Sequence, residues 1–390
     1  MSPAPSRTAA HTEPFHPENH VTSHPTTRQV PSMTATLPEA PELSYARTVD
    51  RGLVHRDSVG EVFLTDLKPV DDTGYLAGAQ LPRSHAYYGD HLLRPSMYDP
   101  VLLLEACRQS ALAGAHAFYG VPTGHKFILT HLRIHLTRPE RIVVGAAPCA
   151  MTLRVTVSGH RRREGLTTGL DYDIDIDVRG TVIGRASVGL RFKSPEDYLA
   201  LRLRNRDGKA LPSSDAYPHT GRGGSVEPYR VGRKNSDNVV IDHAAREGAT
   251  AEALLRVPGD HPSMFDHPQD HLPGMVLAEA ARQLALFGAL EVHGMSPSRT
   301  FPTDLSVVFS RFGELEHATE LTAEVGEVLR SDRDAAGAYY TQGGLVELGE
   351  DGGEGDRAGV DQLRVRVDAR QDGESICLFG LGFSRLGDLG

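Results

Sequence analysis

Two pairs of ionisable residues, each a glutamate followed three positions later by an arginine, occur in otherwise apolar segments. Glu279 and Arg282 lie in "LPGMVLAEAARQLALFGAL", and Glu105 and Arg108 lie in "YDPVLLLEACRQSALAGAHAFYG". Residues at i and i+3 share one face of a helix, so each pair is predicted to sit together. An ordinary salt bridge at the helix rim is the alternative interpretation. Because a buried ionised carboxylate is costly unless it is paired or hydrogen-bonded, a buried pair would instead indicate a site for proton transfer or charge stabilisation.

Two histidines are candidates to work with these glutamates. His91 precedes Glu105 by 14 residues, and His267 precedes Glu279 by 12. We predict that each histidine approaches the glutamate that follows it, since a histidine–carboxylate pair suits proton transfer near neutral pH. Chance placement is the alternative, because the chain contains 19 histidines.

The two glutamate–arginine segments are copies of one internal repeat. Glu105 and Glu279 are 174 positions apart, and the same spacing relates Arg108 to Arg282 and Gln109 to Gln283. The segments "VHRDSVGEVFL" and "VGRKNSDNVVI", which begin the two copies, also match. An internal duplication is the simplest explanation.

Each copy has the same predicted order of elements: a short strand region, a loop containing Asp-His, one long apolar helix and several strands. Alternation in "LRVTV", "YDIDIDV" and "QLRVRVDARQ" predicts half-buried antiparallel strands. A helix that is apolar on nearly all sides must be surrounded, and the following sheet is the available wrapper. We therefore predict an α+β fold of the tandem, or double, hot-dog type, in which a curled antiparallel sheet wraps each long central helix.

Composition shifts give the predicted domain boundaries. Residues 1–45 are rich in Pro, Thr, Ser and His and are expected to be a disordered tail. The first hot-dog domain is predicted over 46–197, a linker over 198–228, and the second domain over 229–390, with an acidic, Gly-rich loop near 347–361.

Composition also excludes several classes of protein. The net charge of −10 argues against binding of nucleic acid, which requires a basic face. The sequence has neither an apolar run long enough to span a membrane nor the apolar core of a signal peptide, so we expect a cytoplasmic protein. Cys107, Cys149 and Cys377 lack metal-ligand spacing and are interpreted as packing residues, so we expect no metal site and no cofactor.

The segment "FDHPQDHLPGMVLAEAARQ" resembles the A-factor biosynthesis family of hot-dog proteins, the γ-butyrolactone synthases of the AfsA type. "YDPVLLLEACRQ" and "HAFYGVPTGHKFIL" in the first copy extend the resemblance to both repeats. The resemblance implies an acyltransferase that moves a β-ketoacyl group from a thioester onto a hydroxyl of dihydroxyacetone phosphate. The donor would be an acyl carrier protein or coenzyme A. Ring closure and loss of water would then give a butenolide phosphate, the precursor of a γ-butyrolactone, butenolide or furan signal that controls antibiotic production. A homodimer stays an open alternative.

Carried over residue by residue, the resemblance assigns roles as hypotheses. Glu279 would deprotonate the attacking hydroxyl or the acidic carbon between the two carbonyls, and Arg282 would hold the substrate phosphate or orient Glu279. A backbone N–H near Gly274, where Pro273 is expected in the first helical turn, would stabilise the oxyanion. The first copy has Asp99-Pro100 at that point, which favours the second copy for chemistry. The predicted catalytic residues are Glu279, Arg282 and Glu105, and the predicted substrate-binding residues are Arg108, His267, Gln283, Gly274 and His91.

Two further classes of function stay open at this point. The first is a hot-dog dehydratase or thioesterase, which would act on acyl thioesters with one histidine and one glutamate and would need no dihydroxyacetone phosphate. The second is a non-catalytic protein that binds an acyl group or signal.

Overall fold

The computed structural model describes residues 41–217, 226–329, 338–341, 344–347 and 362–386. Two long helices dominate it, α1 (Pro100–Tyr119) and α3 (Gly274–His293), with a shorter helix, α2 (Pro195–Asn205), between them. Every residue from Val276 to Ala289 is buried, as is every residue from Pro100 to Ala115 except Arg108. Neither long helix therefore has a polar face, in agreement with the prediction that each is surrounded.

The strands form one antiparallel sheet of twelve and a separate hairpin of two. Buried residues on the covered face alternate with more exposed residues on the outer face, for example in Cys149–Arg163 and Gln362–Gln371, as the sequence pattern predicted. The strands of the first repeat are β1 (Leu64–Asp71), β2 (Gly74–Leu81), β3 (Lys126–Leu136), β4 (Cys149–Arg163), β5 (Leu166–Val178) and β6 (Thr181–Lys193). Those of the second repeat are β7 (Ile241–Glu247), β8 (Thr250–Leu255), β9 (Thr300–Phe309), β10 (Glu320–Val325), β11 (Ala338–Thr341), β12 (Gly344–Glu347), β13 (Gln362–Gln371) and β14 (Glu374–Arg385).

The strand order reveals a two-fold relation between the repeats. It runs β1-β2-β4-β5-β6-β3-β9-β14-β13-β10-β8-β7, so the second half repeats the first in reverse. β3 and β9 meet at the centre, where Ile134 pairs with Leu305 and Leu132 with Val307. One long central helix for each half of the sheet is the double hot-dog architecture, and the fold prediction is confirmed.

The structure departs from the predicted elements at the start of the first repeat. Residues Val59–Glu61 lie in the segment that begins the first copy, where a short strand region is predicted, but they form a 3-10 turn, and β1 starts only at Leu64. The reason is a contact with α1: the amide of Gln109 donates to the Glu61 carbonyl at 2.7 Å and accepts from the Phe63 N–H at 2.9 Å. The Glu61 carbonyl and the Phe63 N–H are therefore bonded to a side chain, whereas in a strand they would bond to a neighbouring strand.

The predicted linker, 198–228, is not irregular at its beginning. α2 extends to Asn205, and the Arg202 side chain on it is fully buried, donating to Glu314 at 2.6 and 2.9 Å. This ion pair attaches α2, at the start of the predicted linker, to the second repeat. Residues 1–40 of the predicted tail, 218–225 of the linker and 348–361 of the acidic loop lie outside the described residues. Within the described ranges, no helix is both long and apolar enough to cross a lipid bilayer.

Candidate active site

Glu279 lies at the centre of a buried polar cluster on α3. Arg233 donates from Nε to Glu279 Oε1 at 2.9 Å, and Gln283 donates to the same oxygen at 2.5 Å. The Tyr87 hydroxyl donates to Oε2 at 3.0 Å, and Arg282 donates to Oε2 as well. The Glu279 side chain is fully buried. The rim salt bridge is therefore the wrong interpretation, and the prediction of a buried, paired carboxylate is confirmed.

Arg282 joins this cluster to the first repeat. Its Nη1 donates to both carboxylate oxygens of Asp99, at 2.6 and 2.7 Å, while its Nη2 donates to Glu279. Asp99 also caps α1 by accepting from the Val101 N–H at 2.9 Å. Burial alone would raise the pKa of Asp99, but the guanidinium groups of Arg282 and Arg233 lower it below its ordinary value. Arg282 is thus held between two carboxylates, one from each repeat.

A related cluster surrounds Glu105 on α1. Arg56 donates to Glu105 at 2.7 Å, Arg108 donates at 2.7 and 2.8 Å, and Gln109 donates at 2.9 Å. Burial raises the pKa of Glu105, but Arg108 and Arg56 together lower it to about 2. One difference between the clusters is that Pro273 stands where the first repeat has Asp99. Among the described residues Arg108 therefore has no second carboxylate partner like that of Arg282, and its side chain is 17% exposed rather than 7%.

The Asp-His loop of each repeat reaches across to the other repeat. Asp90 accepts from the backbone N–H groups of Lys234 and Asn235, both at 3.2 Å. Asp266 accepts in the same way from Asp57 and Ser58, 177 positions earlier than Lys234 and Asn235. Both clusters are consequently composite, since each combines the helix of one repeat with the loop of the other.

This crossing contradicts the predicted pairing of each histidine with the glutamate that follows it. The charged groups that act on His91 are Asp99, Arg282 and Arg233, which belong to the Glu279 cluster. His267 instead acts on His55, which precedes Arg56 of the Glu105 cluster. The prediction took each repeat as a self-contained unit, whereas the loops exchange partners.

His91 has the features of a neutral base. Its Nε2 is 2.7 Å from the Met97 carbonyl oxygen, which requires that Nε2 carry the hydrogen. Its Nδ1 is buried and has no hydrogen-bond partner among the described residues. Burial is the main cause that lowers the pKa of His91, and Arg282 and Arg233 lower it further against the opposing effects of Asp99 and the Met97 carbonyl. An unprotonated Nδ1 with a free lone pair is therefore available at neutral pH.

Two adjoining clefts meet at His91 and Asp99, which line both. The larger has a volume of about 130 Å³, and its polar lining includes Arg83, Ser84 and Ser96. The smaller, of about 20 Å³, borders Arg282 and is mainly apolar. Its apolar lining residues are Leu93, Pro100, Val231, Leu286, Pro297 and Pro302. His91 thus lines both a larger cleft of mixed character and a small, mainly apolar one.

The geometry bears on three predicted roles, which stay predictions. The two oxygens of Glu279 together accept from four side chains, so a role as base would require one of these bonds to open. Both terminal nitrogens of Arg282 bind carboxylates. The amide of Gln283 bonds the Val240 N–H at 2.9 Å and the Asn238 carbonyl at 2.7 Å, which fixes this side chain against the segment before β7.

Gly274 and Pro273 also differ from expectation. Pro273 is the N-cap of α3, and Gly274, not Pro273, opens the first turn. A Cβ on Gly274 would meet Phe309 at 2.8 Å and Leu129 at 3.0 Å, so close packing against these side chains accounts for a glycine there. The role of its N–H in oxyanion binding stays a prediction.

Arg56, Arg233, Asp99 and Tyr87 were missed as site residues. The two arginines do carry a signal, because they occupy equivalent positions in the matching segments "VHRDSVGEVFL" and "VGRKNSDNVVI". Asp99 and Tyr87 carry none, since their partners are 183 and 192 residues away.

The structure brings together no group of three or more potential metal ligands within its described ranges. Cys107, Cys149 and Cys377 are buried and unpaired, and burial raises the pKa of each thiol, as expected for packing residues.

Comparison with known proteins identifies the family. The model of the A-factor biosynthesis hotdog domain matches residues 39–194 and 215–342. A 2-oxo-3-(phosphooxy)propyl 3-oxoalkanoate synthase of Streptomyces virginiae is 37% identical over 278 residues, which cover 71% of this chain and 87% of that protein. A synthase of the same name from Streptomyces griseus subsp. griseus is 28% identical over 347 residues, covering 89% and 93% of the two chains.

Solved structures align at lower similarity. A putative thioesterase from Novosphingobium aromaticivorans is 11% identical, with a TM-score of 0.43 and coverage of 82% of this chain and 98% of that one. A bifunctional dehydratase-cyclase domain from ambruticin biosynthesis is 19% identical, with a TM-score of 0.39 and coverage of 83% and 95%. The family match and the two-part structure agree with the resemblance noted in the sequence. This chain is a member of the A-factor biosynthesis hotdog family.

Proposed function

We propose that the protein transfers a 3-oxoacyl group from a thioester to a hydroxyl of dihydroxyacetone phosphate. The name of the relatives describes this product, the ester of a 3-oxoalkanoic acid with a 2-oxo-3-phosphooxypropyl alcohol. The observation that carries the proposal is the placement of His91, which lines both clefts and whose Nδ1 has no hydrogen-bond partner among the described residues. A substrate bound at the larger cleft would therefore lie beside a base.

His91 accounts for the proton transfers of the acyl-transfer step. Its Nδ1 takes the proton of the acceptor hydroxyl while the oxygen bonds to the thioester carbonyl carbon. The carbon–sulfur bond then breaks, and the imidazolium returns the proton to the leaving thiolate. Burial chiefly lowers the pKa of His91 and so keeps it unprotonated between turnovers, and the positive charges of Arg282 and Arg233 add to this effect.

Glu279, Arg282 and Asp99 act as positioning residues in this scheme. Together they tie α3 to the start of α1 through buried ion pairs, and Tyr87 adds a bond from the loop that carries His91. Because this loop belongs to the other repeat, its position depends on these contacts. Glu105, with Arg108 and His267 nearby, belongs to the corresponding cluster, which the pseudo-two-fold axis relates to the Glu279 cluster.

Ring closure can follow from the chemistry of the ester itself. The carbon between the two carbonyls is acidic, so a base removes its proton and the carbanion attacks the ketone of the acceptor part. Protonation of the resulting alkoxide and loss of water give a butenolide phosphate. The donor is a 3-oxoacyl thioester of an acyl carrier protein or of coenzyme A, which present the same thioester arm.

Mass spectrometry of the purified protein with a 3-oxoacyl thioester, in the presence and absence of dihydroxyacetone phosphate, tests the proposal. We expect thiol release together with the mass of the phosphorylated ester or butenolide, only when the phosphate is present. Thioester hydrolysis or dehydration without the phosphate would instead identify a thioesterase or dehydratase. Absence of any turnover would favour a binding protein.

Matched histidine variants test which cluster carries the chemistry. His91→Gln should abolish product, whereas His267→Gln, at the equivalent position of the second repeat, should retain it. The exposed His160 on the β4–β5 hairpin provides a control, since His160→Gln should match the unaltered protein. Loss of product in His267→Gln alone would transfer the proposal to the Glu105 cluster.

A further inference from the structure

The phosphate of the proposed acceptor needs a cation that Arg282 does not supply. Both terminal nitrogens of Arg282 already bind carboxylates, and its side chain is only 7% exposed. A phosphomonoester carries close to two negative charges at neutral pH and is best bound by a planar guanidinium with free N–H groups. A different arginine near His91 is therefore required if the proposed function holds.

Arg83 lies on the cleft of about 130 Å³ that His91 and Asp99 also line. Its Nε donates to the Gly145 carbonyl at 2.9 Å, which anchors the guanidinium. Within the described parts of the chain, its two terminal nitrogens make no hydrogen bond or ion pair. Arg83 is an exposed residue of this cleft. The Asp99 carboxylate on the same cleft is already neutralised by Arg282.

One buried polar atom of this cleft also lacks a partner among the described residues. It is His91 Nδ1, on a side chain that is 8% exposed. Tyr98 lines the same cleft and has a hydrogen bond with the Cys149 backbone; burial raises the pKa of this tyrosine, and the charges of Arg83 and Arg179 act to lower it. Buried polar atoms of folded proteins are nearly always bonded, so the unbonded His91 nitrogen indicates a polar ligand at this point.

Arg179 provides a second positive charge at the same place. Its Nη2 lies 4.0 Å from the position of a Cβ built on Gly145, the residue whose carbonyl anchors Arg83. Both arginines also act on Tyr98. Two positive charges thus lie near Gly145, one of them on a residue that lines the cleft, and both would stabilise an anion there.

The second repeat lacks this feature. His85 and His261 are equivalent, because the Nδ1 of each accepts from the N–H groups two and three residues later. Arg83 lies two residues before His85, and Gly259 lies two residues before His261, so the two positions correspond. A Cβ at Gly259 would lie 2.2 Å from the Ser214 carbonyl oxygen. Only the loop that crosses to the Glu279 cluster can therefore present an arginine at this point.

We infer that Arg83, supported by Arg179, binds the phosphate of a small hydroxyketone phosphate at this cleft and thereby directs its free hydroxyl toward His91. The inference rests on the proposed function for the identity of the reaction, but the binding is testable alone. A cleft of about 130 Å³ suits a small polar metabolite, since pockets for drug-sized ligands have volumes of roughly 300–1,000 Å³.

The test compares Arg83→Gln with Arg141→Gln, an exposed arginine that lines neither cleft. In steady-state kinetics, Arg83→Gln should raise the KM for dihydroxyacetone phosphate about 10- to 100-fold, with the KM for the thioester unchanged. With dihydroxyacetone, which lacks the phosphate, Arg83→Gln should equal the unaltered protein. Arg141→Gln should change neither value. An equal loss with both acceptors, or none with either, would overturn the assignment.

Calorimetric titration with dihydroxyacetone phosphate separates this inference from the proposed function. Binding by the unaltered protein that weakens about 10- to 100-fold in Arg83→Gln supports the assignment even if no acyl transfer is detected. Undiminished binding in Arg83→Gln, or no binding by the unaltered protein, overturns it. Acyl transfer that depends on the phosphate but not on Arg83 would leave the proposed function intact and reject Arg83 alone.

Discussion

The equivalent arginines of the two repeats should differ widely in their contribution to stability. Arg282 is the ion partner of two buried carboxylates, whereas among the described residues Arg108 forms an ion pair with Glu105 alone. When Arg282 is replaced by methionine, Glu279 keeps its other donors, but Asp99, which is 1% exposed, is left as an unpaired buried charge. Removal of one partner of a buried ion pair costs about 3–5 kcal/mol, so we expect Arg282→Met to lower the free energy of unfolding by that amount.

Arg108→Met is the matched comparison. Glu105 keeps Arg56 at 2.7 Å and Gln109 at 2.9 Å, so its charge stays paired and hydrogen-bonded. We expect a loss of about 1–2 kcal/mol, the contribution of a hydrogen bond to a charged group. Urea unfolding at pH 7, followed by circular dichroism, gives the free energy of unfolding of each variant.

A double variant identifies Asp99 as the cause of the difference. Asparagine retains the capping bond of Asp99 to α1 but removes its charge. Asp99→Asn should therefore restore at least about 1 kcal/mol when added to Arg282→Met. Equal losses for Arg282→Met and Arg108→Met, or strictly additive effects in the double variant, would refute the argument.

Three further outcomes follow from single residues. Burial lowers the pKa of His91 below its ordinary 6.5, and a base must be unprotonated to act. The kcat/KM for acyl transfer should therefore stay constant around pH 7 and fall only below pH 6.5. A midpoint above 6.5 in the pH–rate profile would argue against His91. In the folded protein the pKa of Glu105 is about 2, which is below its ordinary value of 4.5. Ionised Glu105 therefore stabilises the folded state by about 3 kcal/mol above pH 4.5, and this contribution is lost as the pH falls from 4.5 toward 2. Urea midpoints measured across that range should decline less in Glu105→Gln. A Cβ at Gly114 would lie 2.2 Å from the Tyr75 hydroxyl oxygen and 2.3 Å from its ring carbon Cζ, so Gly114→Ala should cost about 1–3 kcal/mol. The measurement is the midpoint of thermal unfolding, and an unchanged midpoint would argue against this close packing.

The sequence alone predicted the features that arise from local pattern. The repeated Glu-Ala-x-Arg-Gln motif identified two equivalent helices, and the apolar residues around it indicated that both are buried. Alternation identified most strands, because a strand that is covered on one face requires a period of two. The pairing of Glu279 with Arg282 followed from their spacing on one helix, since residues three apart share a face.

Only the tertiary structure decided which residues complete the site. The crossing of the Asp-His loops depends on the pairing of β3 with β9, which sets the two repeats around a pseudo-two-fold and leaves no local signature in either one. Because the repeats are arranged in this way, Asp99 and Tyr87 contact side chains of α3, and His91 lies beside the Glu279 cluster. Burial settled the remaining question: the carboxylate that the pattern favoured as a base is occupied by four donors, while the free lone pair is on His91. Hydrogen-bond saturation of this kind is a property of contacts between distant segments, and it is decided only when the chain is folded.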